Sequence, residues 1–476
     1  MGVRDLVATR ILILLVLIYL PMKAWPCEMI RENLRVDSAV ASIMQSQGLQ
    51  GGFASGSGTA SGFVYTVGRG EAKPDGTVID PSTTLFRWAS MSKTLVGVTA
   101  AMLATQGIVD LDADISQVFS GYSIPETFLV CADNEAAASK HADGSWNEDC
   151  LGQQTLPSGT YVTLRQLLSH RSGIQHYSNG RANPVPPYTD TGDPLVNTGI
   201  EWALHLFTSS PLIAIPGTYF SYSTFGFNLA AVVLEHATGK SFATLVKDVI
   251  AEPLGLCSLQ PDYEWVVNDN RATGYDYNGN AVCSSDVSWK LGGGGFMSTL
   301  DDLVRYGQAL LTNTTWLSER TRTDAKTGVW VNNVDHATAG SCQYSMGFSQ
   351  CYSNSSSSGI LHNTSHTGAQ QKTKTMLLLD TAHPSSLHGV YAMSNSENAK
   401  IRNVGQTLLD ALEKQLPLDR NYSCLNTPTS CTEVRSGSSV KATTDSMMLC
   451  VPSDASHNTR RPSVFCILPI LSLLLL

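Results

Sequence analysis

Apolar positions along the chain fall into three patterns: short alternating runs, denser runs with a period near 3.6, and an unbroken apolar run at each end. Phe63-Val64-Tyr65-Thr66-Val67-Gly68 alternates as a strand does, with the turn residues Pro74-Asp75-Gly76 after it. A helix is expected from Ser90, where Leu95, Val96, Val98, Met102 and Leu103 share an apolar face and Gly107 supplies the stop. Further helices are predicted over residues 163–170, 228–238, 300–311 and 398–416, the third following a backbone-permissive bend at Gly292 to Gly295. Residues 329–332, 344–348, 373–379 and 387–393 read as strands. A helix over 32–46 and a Gly/Ser-rich stretch over 51–62 precede all of these, and the polar, cysteine-bracketed segment 125–157 reads as a long loop. Helices in the middle, one strand in front and several behind predict an α/β layered domain whose sheet is completed by C-terminal strands.

The two unbroken runs carry a different message. Arg4 and Arg10 precede the apolar residues 11–20, which have signal-peptide length, so residues 1–26 are expected to be a secretion signal. Residues 464–476 are almost wholly apolar, follow a polar spacer at 457–463, and come after the small residues Ser453-Asp454-Ala455-Ser456. That order predicts a glycosylphosphatidylinositol attachment signal over 457–476, with an uncleaved tail anchor or an ordinary buried end as the alternatives. Residues 27–416 are left as the main domain and 417–456, rich in Ser, Thr and Cys, as a membrane-proximal segment. The expected location is the cell surface.

Composition narrows the choice of partner. The 476 residues carry a formal charge of −9, and no Lys/Arg run is long enough to follow a phosphate backbone, which argues against nucleic acid. Eleven cysteines are present; loss of the tail would remove Cys466 and leave an even number, as disulfides require. Spacing suggests Cys131 with Cys150, Cys257 with Cys283, and Cys342 with Cys351. None of the cysteines has zinc spacing, so no metal is expected. Sequons at Asn313, Asn354 and Asn421 are candidate glycan sites.

Candidate chemistry begins at Ser90-Met91-Ser92-Lys93. Residues three apart at a helix start share a face, so the lysine reaches the serine hydroxyl, and the first-turn amides favour an alkoxide. The spacing alone is common. Two more elements give it weight: Tyr222-Ser223-Thr224 before a helix, and His366-Thr367-Gly368 just before the strand over 373–379. With Phe86-Arg87-Trp88-Ala89, with Leu167-Leu168-Ser169-His170-Arg171-Ser172-Gly173-Ile174, with Pro253-Leu254-Gly255-Leu256 and with Gly294-Gly295-Phe296-Met297-Ser298-Thr299, they run in one order. In these blocks the chain resembles the class C β-lactamase-like serine hydrolases, a family that includes penicillin-binding carboxypeptidases, esterases and D-amino-acid peptidases, over residues 63–416.

The resemblance implies an antiparallel sheet flanked by helices with a mostly helical subdomain, and no cofactor. It implies Ser90 as nucleophile, Lys93 and Tyr222 sharing the proton work with support from a charged His366, and an oxyanion hole from the N–H groups of Ser90 and Ala369. Thr224, Thr367 and Gly368 would touch a small ester, amide or peptide substrate. Two positions depart from the β-lactamase pattern: Thr224 stands where Asn is usual, and His366 where Lys is usual. The histidine would titrate near neutrality. Both departures favour esterase or peptidase activity over β-lactam hydrolysis. The competing reading is a surface glycoprotein that keeps the fold as a binding module. His170 reads as structural, and the glycine run as a close backbone approach at the site's floor. A fourth sequon at Asn363 is expected to go unused, because a glycan three residues from His366 would crowd the pocket.

Overall fold

The computed structural model describes residues 51–404 apart from 60–63, 132–149, 178–198, 324–328, 330–341, 353–360, 381–387 and six single positions, and three isolated residues before 51. The expected signal, membrane-proximal and anchor segments lie outside the described residues, as do Cys283, Asn354, Asn421 and nearly all of the helix expected over 32–46.

Fourteen strands are described: β1 (Gly52–Thr59), β2 (Val64–Gly70), β3 (Phe86–Arg87), β4 (Thr127–Cys131), β5 (Cys150–Thr155), β6 (Gln260–Pro261), β7 (Gly274–Tyr275), β8 (Ala281–Val282), β9 (Phe296–Ser298), β10 (Cys342–Ser345), β11 (Phe348–Tyr352), β12 (Leu361–Gln370), β13 (Thr373–Asp380) and β14 (His388–Ser394). Seven of them form one antiparallel sheet in the order β10-β11-β12-β13-β14-β1-β2. The N-terminal strand expected over 63–68 is β2, and it joins the C-terminal strands through β1, which pairs with β14, Phe53 opposite Ser394.

Four expectations need correction. The Gly/Ser-rich stretch is β1, a strand inside the sheet, because its glycines let neighbours close in: a Cβ at Gly52 would lie 2.4 Å from the Arg69 carbonyl oxygen. The segment over 125–157 is flanked by a β4–β5 ladder in which Cys131 and Cys150 are register partners. The strand expected over 344–348 is a hairpin, since Met346 and Gly347 have φ of 50° and 83°, the conformation of a tight primed turn. His366-Thr367-Gly368 lies inside β12 rather than before a strand. Its alternate residues Thr364 and His366 are buried, so a polar strand is half core.

The helices used below are α1 (Ser92–Thr105), α2 (Leu164–Leu168), α3 (Thr224–Thr238), α4 (Leu291–Gly294) and α5 (Leu300–Thr312). α1 is buried on nearly every side, and α3 likewise from Thr224 to Leu234, so both run through the core. α3 is capped by the Ser223 hydroxyl, which accepts from Gly226 N–H, and is closed by Gly239 in the left-handed conformation. The amphipathic α5, capped by Thr299, covers β1 and β14. Cys342 and Cys351 are bonded across the β10–β11 hairpin, as their spacing suggested. Cys257 is also disulfide-bonded.

Candidate active site

Ser90 sits in a 3₁₀ turn, Ala89–Met91, that leads from β3 into α1. Ala89 has φ of 49°, a left-handed conformation costly for a residue with a Cβ. The surroundings hold it there. Trp88 N–H donates to Phe296 O, its indole N–H donates to Ser298 Oγ at 2.7 Å, and its carbonyl accepts from Thr375 Oγ1 at 2.9 Å. Gly368 closes the other side, where a Cβ would lie 2.2 Å from Trp88 O. The turn is thus clamped between β9 and the sheet, and Ser90 is presented at its tip.

Lys93 is fully buried in the first turn of α1, and its Nζ lies 3.3 Å from Ser90 Oγ, 3.2 Å from Thr224 Oγ1 and 2.6 Å from Gly293 O. Burial, and after it the charge of Lys290, pulls the ammonium well below its ordinary value. A neutral amine has two hydrogens and one lone pair. In the free-amine form that burial favours, Gly293 O and Thr224 Oγ1 would take the hydrogens and leave the lone pair for the Ser90 hydroxyl, whereas the ammonium donates to all three. Gly293 must be glycine, because a Cβ there would meet Thr224 Cγ2 at 2.2 Å; the close backbone approach expected of the glycine run is this one.

Tyr222 is hydrogen-bonded to Ser90, and Lys93 Nζ stands 4.9 Å from its ring centroid. Burial pushes the phenol well above its ordinary value, with the Ser90 hydrogen bond opposing. Burial thus favours the neutral phenol over the phenolate at Tyr222. His170 holds the Tyr222 turn: its carbonyl accepts from Ser221 N–H at 2.8 Å, its Nδ1 accepts from Ser223 N–H at 3.0 Å, and its ring lies 4.2 Å from that of Tyr222.

His366 differs most from its expected role. Its Nδ1 donates to Thr367 O at 2.7 Å, so Nε2 is the acceptor for the Tyr344 hydroxyl at 2.8 Å. Burial, then the Lys93 charge, pulls it down to about 3. It is neutral across the physiological range and does not titrate near pH 7. His366→Gln should accordingly leave the shape of the kcat/KM profile between pH 5 and 9 unchanged, even where the rate falls; a lost or displaced limb would return the histidine to the proton chemistry. Asn363 and His366, an odd number apart on β12, face opposite sides of the sheet, so crowding of the pocket gives no reason for that sequon to be unused.

Beyond Ser365, the last residue of β12 that pairs with β11, the strand edge from His366 to Gln370 has no strand neighbour among the described residues. Thr367, Gly368 and Ala369 lie on this free edge beside the Ser90 turn.

The sequence profile described as "Beta-lactamase" matches residues 36–410. The chain belongs to the β-lactamase family. It is 26% identical over 307 residues to the human serine β-lactamase-like protein LACTB, mitochondrial, covering 52% of this chain and 51% of that one. It is 25% identical over 244 residues to the D-alanyl-D-alanine-carboxypeptidase/endopeptidase AmpH of Escherichia coli (strain K12), covering 51% and 53%. The chain spans about half the length of these relatives. A penicillin-binding protein homologue from Pyrococcus abyssi shares the fold, with a TM-score of 0.58 at 18% identity over 80% of this chain and 77% of that one. The β-lactamase/transpeptidase-like fold implied by the motifs is therefore the one present.

Three residues that line this β-lactamase-family site escaped the sequence reading. Tyr344 reaches His366 from β10, His176 Nδ1 accepts from Thr224 N–H at 3.1 Å, and Tyr177 is hydrogen-bonded to Thr224. Burial pulls His176 down to about 3, with Lys93 and Lys290 adding to it, so it too is neutral. Gln175-His176-Tyr177 directly follows the Ser-Gly block, which is the one sequence signal that pointed toward the pair.

Proposed function

We propose that this β-lactamase-family protein is a serine hydrolase that cleaves a small ester, amide or peptide bond through an acyl-enzyme on Ser90. The observation that carries the reading is a fully buried lysine, pushed toward its free amine by burial, whose Nζ lies 3.3 Å from the serine hydroxyl. Lys93 takes the proton as Ser90 Oγ bonds to the carbonyl carbon. The negative oxygen rests on the N–H groups of Ser90 and, on the free edge of β12, Ala369. Tyr222, bridging toward the leaving group, gives it a proton and regains one from Lys93, and the bond to the leaving group breaks. Water then repeats the sequence on the acyl-enzyme and releases the acid. Thr224, Thr367 and Gly368 border the substrate.

The neutral His366 and the hydroxyl of Thr224 support an ester or peptide substrate over a β-lactam, since neither supplies the cation or the amide of the β-lactamase pattern. The competing binding-module reading leaves a desolvated amine beside a serine without a purpose. A fluorophosphonate probe tests the choice: one adduct per chain, mapped to Ser90 by peptide mass spectrometry, is expected. An unlabelled protein, or an adduct elsewhere, would overturn the proposal.

A further inference from the structure

Lys290 stands apart from the proton machinery. Its side chain is 2% exposed, yet among the described residues no hydrogen bond or ion pair reaches its ammonium. It faces the rings of Tyr177 and Trp289, with Nζ 5.0 Å and 5.2 Å from their centroids. The carboxylates nearest in effect are engaged elsewhere. Asp262 lies 2.7 Å from Arg87 Nε and 3.0 Å from Arg271, while Asp286 accepts from the N–H and hydroxyl of Ser288. Burial, and then the Arg87 charge, pulls Lys290 down to about 7 against the opposing effect of Asp262 and Asp286. A buried lysine without a paired anion sheds part of its charge, and a carboxylate arriving beside it would restore the ammonium and pair with it.

The lysine borders the Ser90 site. It directly precedes α4, whose Gly293 carbonyl accepts from Lys93, and the Tyr177 ring it faces belongs to the side chain bonded to Thr224. Its charge is felt at both Lys93 and His176. His176 accepts at Nδ1, so the neutral ring carries its hydrogen on Nε2 as a donor; the residue is half-buried and its ring lies 4.1 Å from that of Tyr177. On β12 the family's usual cation is replaced by the neutral His366. Positive charge has left the β12 wall of the site and is present on the α4 side.

We propose that Lys290, with the Nε2–H of His176 and the faces of Tyr177 and Trp289, forms a carboxylate subsite, so that preferred substrates carry a free carboxylate on a short spacer from the scissile carbonyl. The inference rests on the hydrolase reading above. An aromatic-walled lysine suits such a group, because the rings pack the spacer and the ammonium meets the charge.

Two 4-nitrophenyl esters of nearly equal shape separate the possibilities: the hemisuccinate, with a free carboxylate, and the methyl succinate, without one. Wild type should favour the hemisuccinate in kcat/KM, and Lys290→Met should lower that preference roughly ten- to a hundredfold. A wild type without preference, or a folded Lys290→Met variant that keeps it, overturns the subsite. If the variant does not fold, wild type alone decides. Succinate should slow fluorophosphonate labelling of Ser90 where succinamide at equal concentration does not, and equal effects would refute the proposal. Failure of the hydrolase reading looks different: the protein is then neither labelled nor active on either ester.

Discussion

Lys93→Met should lower kcat/KM on an activated ester by about a thousandfold or more, as should Ser90→Ala, because each removes half of one proton transfer. The double variant should be no slower than either single one, since the two groups act as a unit. Methionine keeps most of the lysine's length while removing the amine, so a folded, inactive variant reports on the base. Its melting transition separates that outcome from collapse, which is a risk because Thr224 and Gly293 O each lose a partner. The pH profile supplies an independent check. Lys93 works only as the free amine, so the wild-type rate should rise with pH through its depressed value and then level off. A phenolate mechanism would instead place the rise far into alkaline pH, where burial has pushed Tyr222. Lys93→Met retaining more than a tenth of wild-type activity would remove it from the base role.

Much of this site was legible because its chemistry is written in short blocks whose spacing survives folding. Ser90 and Lys93 are three residues apart and meet as a helix start requires. Tyr222 and Thr224 straddle the cap Ser223, so one turn fixes both. The rest is set by contacts across the chain. Nothing local to His366 shows that Tyr344, 22 positions earlier, will occupy its Nε2, or that burial will silence its titration. The hairpin at Met346-Gly347 was hidden for a similar reason: its flanks Tyr344 and Phe348 read as one apolar run, and only the left-handed backbone between them separates two strands. β1 shows the limit of composition. Gly-Phe-Ala-Ser-Gly-Ser-Gly-Thr has the makeup of a linker, and it becomes an interior strand because β14 and β2 pair with it on both edges. The fold class came through nonetheless, carried by α1, α3 and the C-terminal strands.

Gly97→Ala should be among the most destabilising single-atom additions in the protein, at about 3 kcal/mol and a melting temperature roughly 5–10 °C lower. In an isolated helix the same change is stabilising by about 0.5–1 kcal/mol, so the predicted sign is opposite to helix propensity. The reason is contact with backbone: a Cβ on Gly97 would lie 1.7 Å from Met346 O and 2.4 Å from Met346 C, with no flexible side chain able to move aside. Gly347, next in that turn, would place a Cβ 2.4 Å from Lys93 O, so the β10–β11 hairpin is wedged against α1 at two successive residues. The hairpin carries Tyr344, and α1 carries Lys93. Separating them loosens the His366–Tyr344 bond from the far side of the site, so ester turnover should fall along with stability. Gly199→Ala, where an added Cβ would meet nothing within 4 Å, is the control and should melt within about 1 °C of wild type. A Gly97→Ala protein that melts at or above wild type would show that helix propensity outweighs the hairpin contact, and that the two halves of the site are not held in register there.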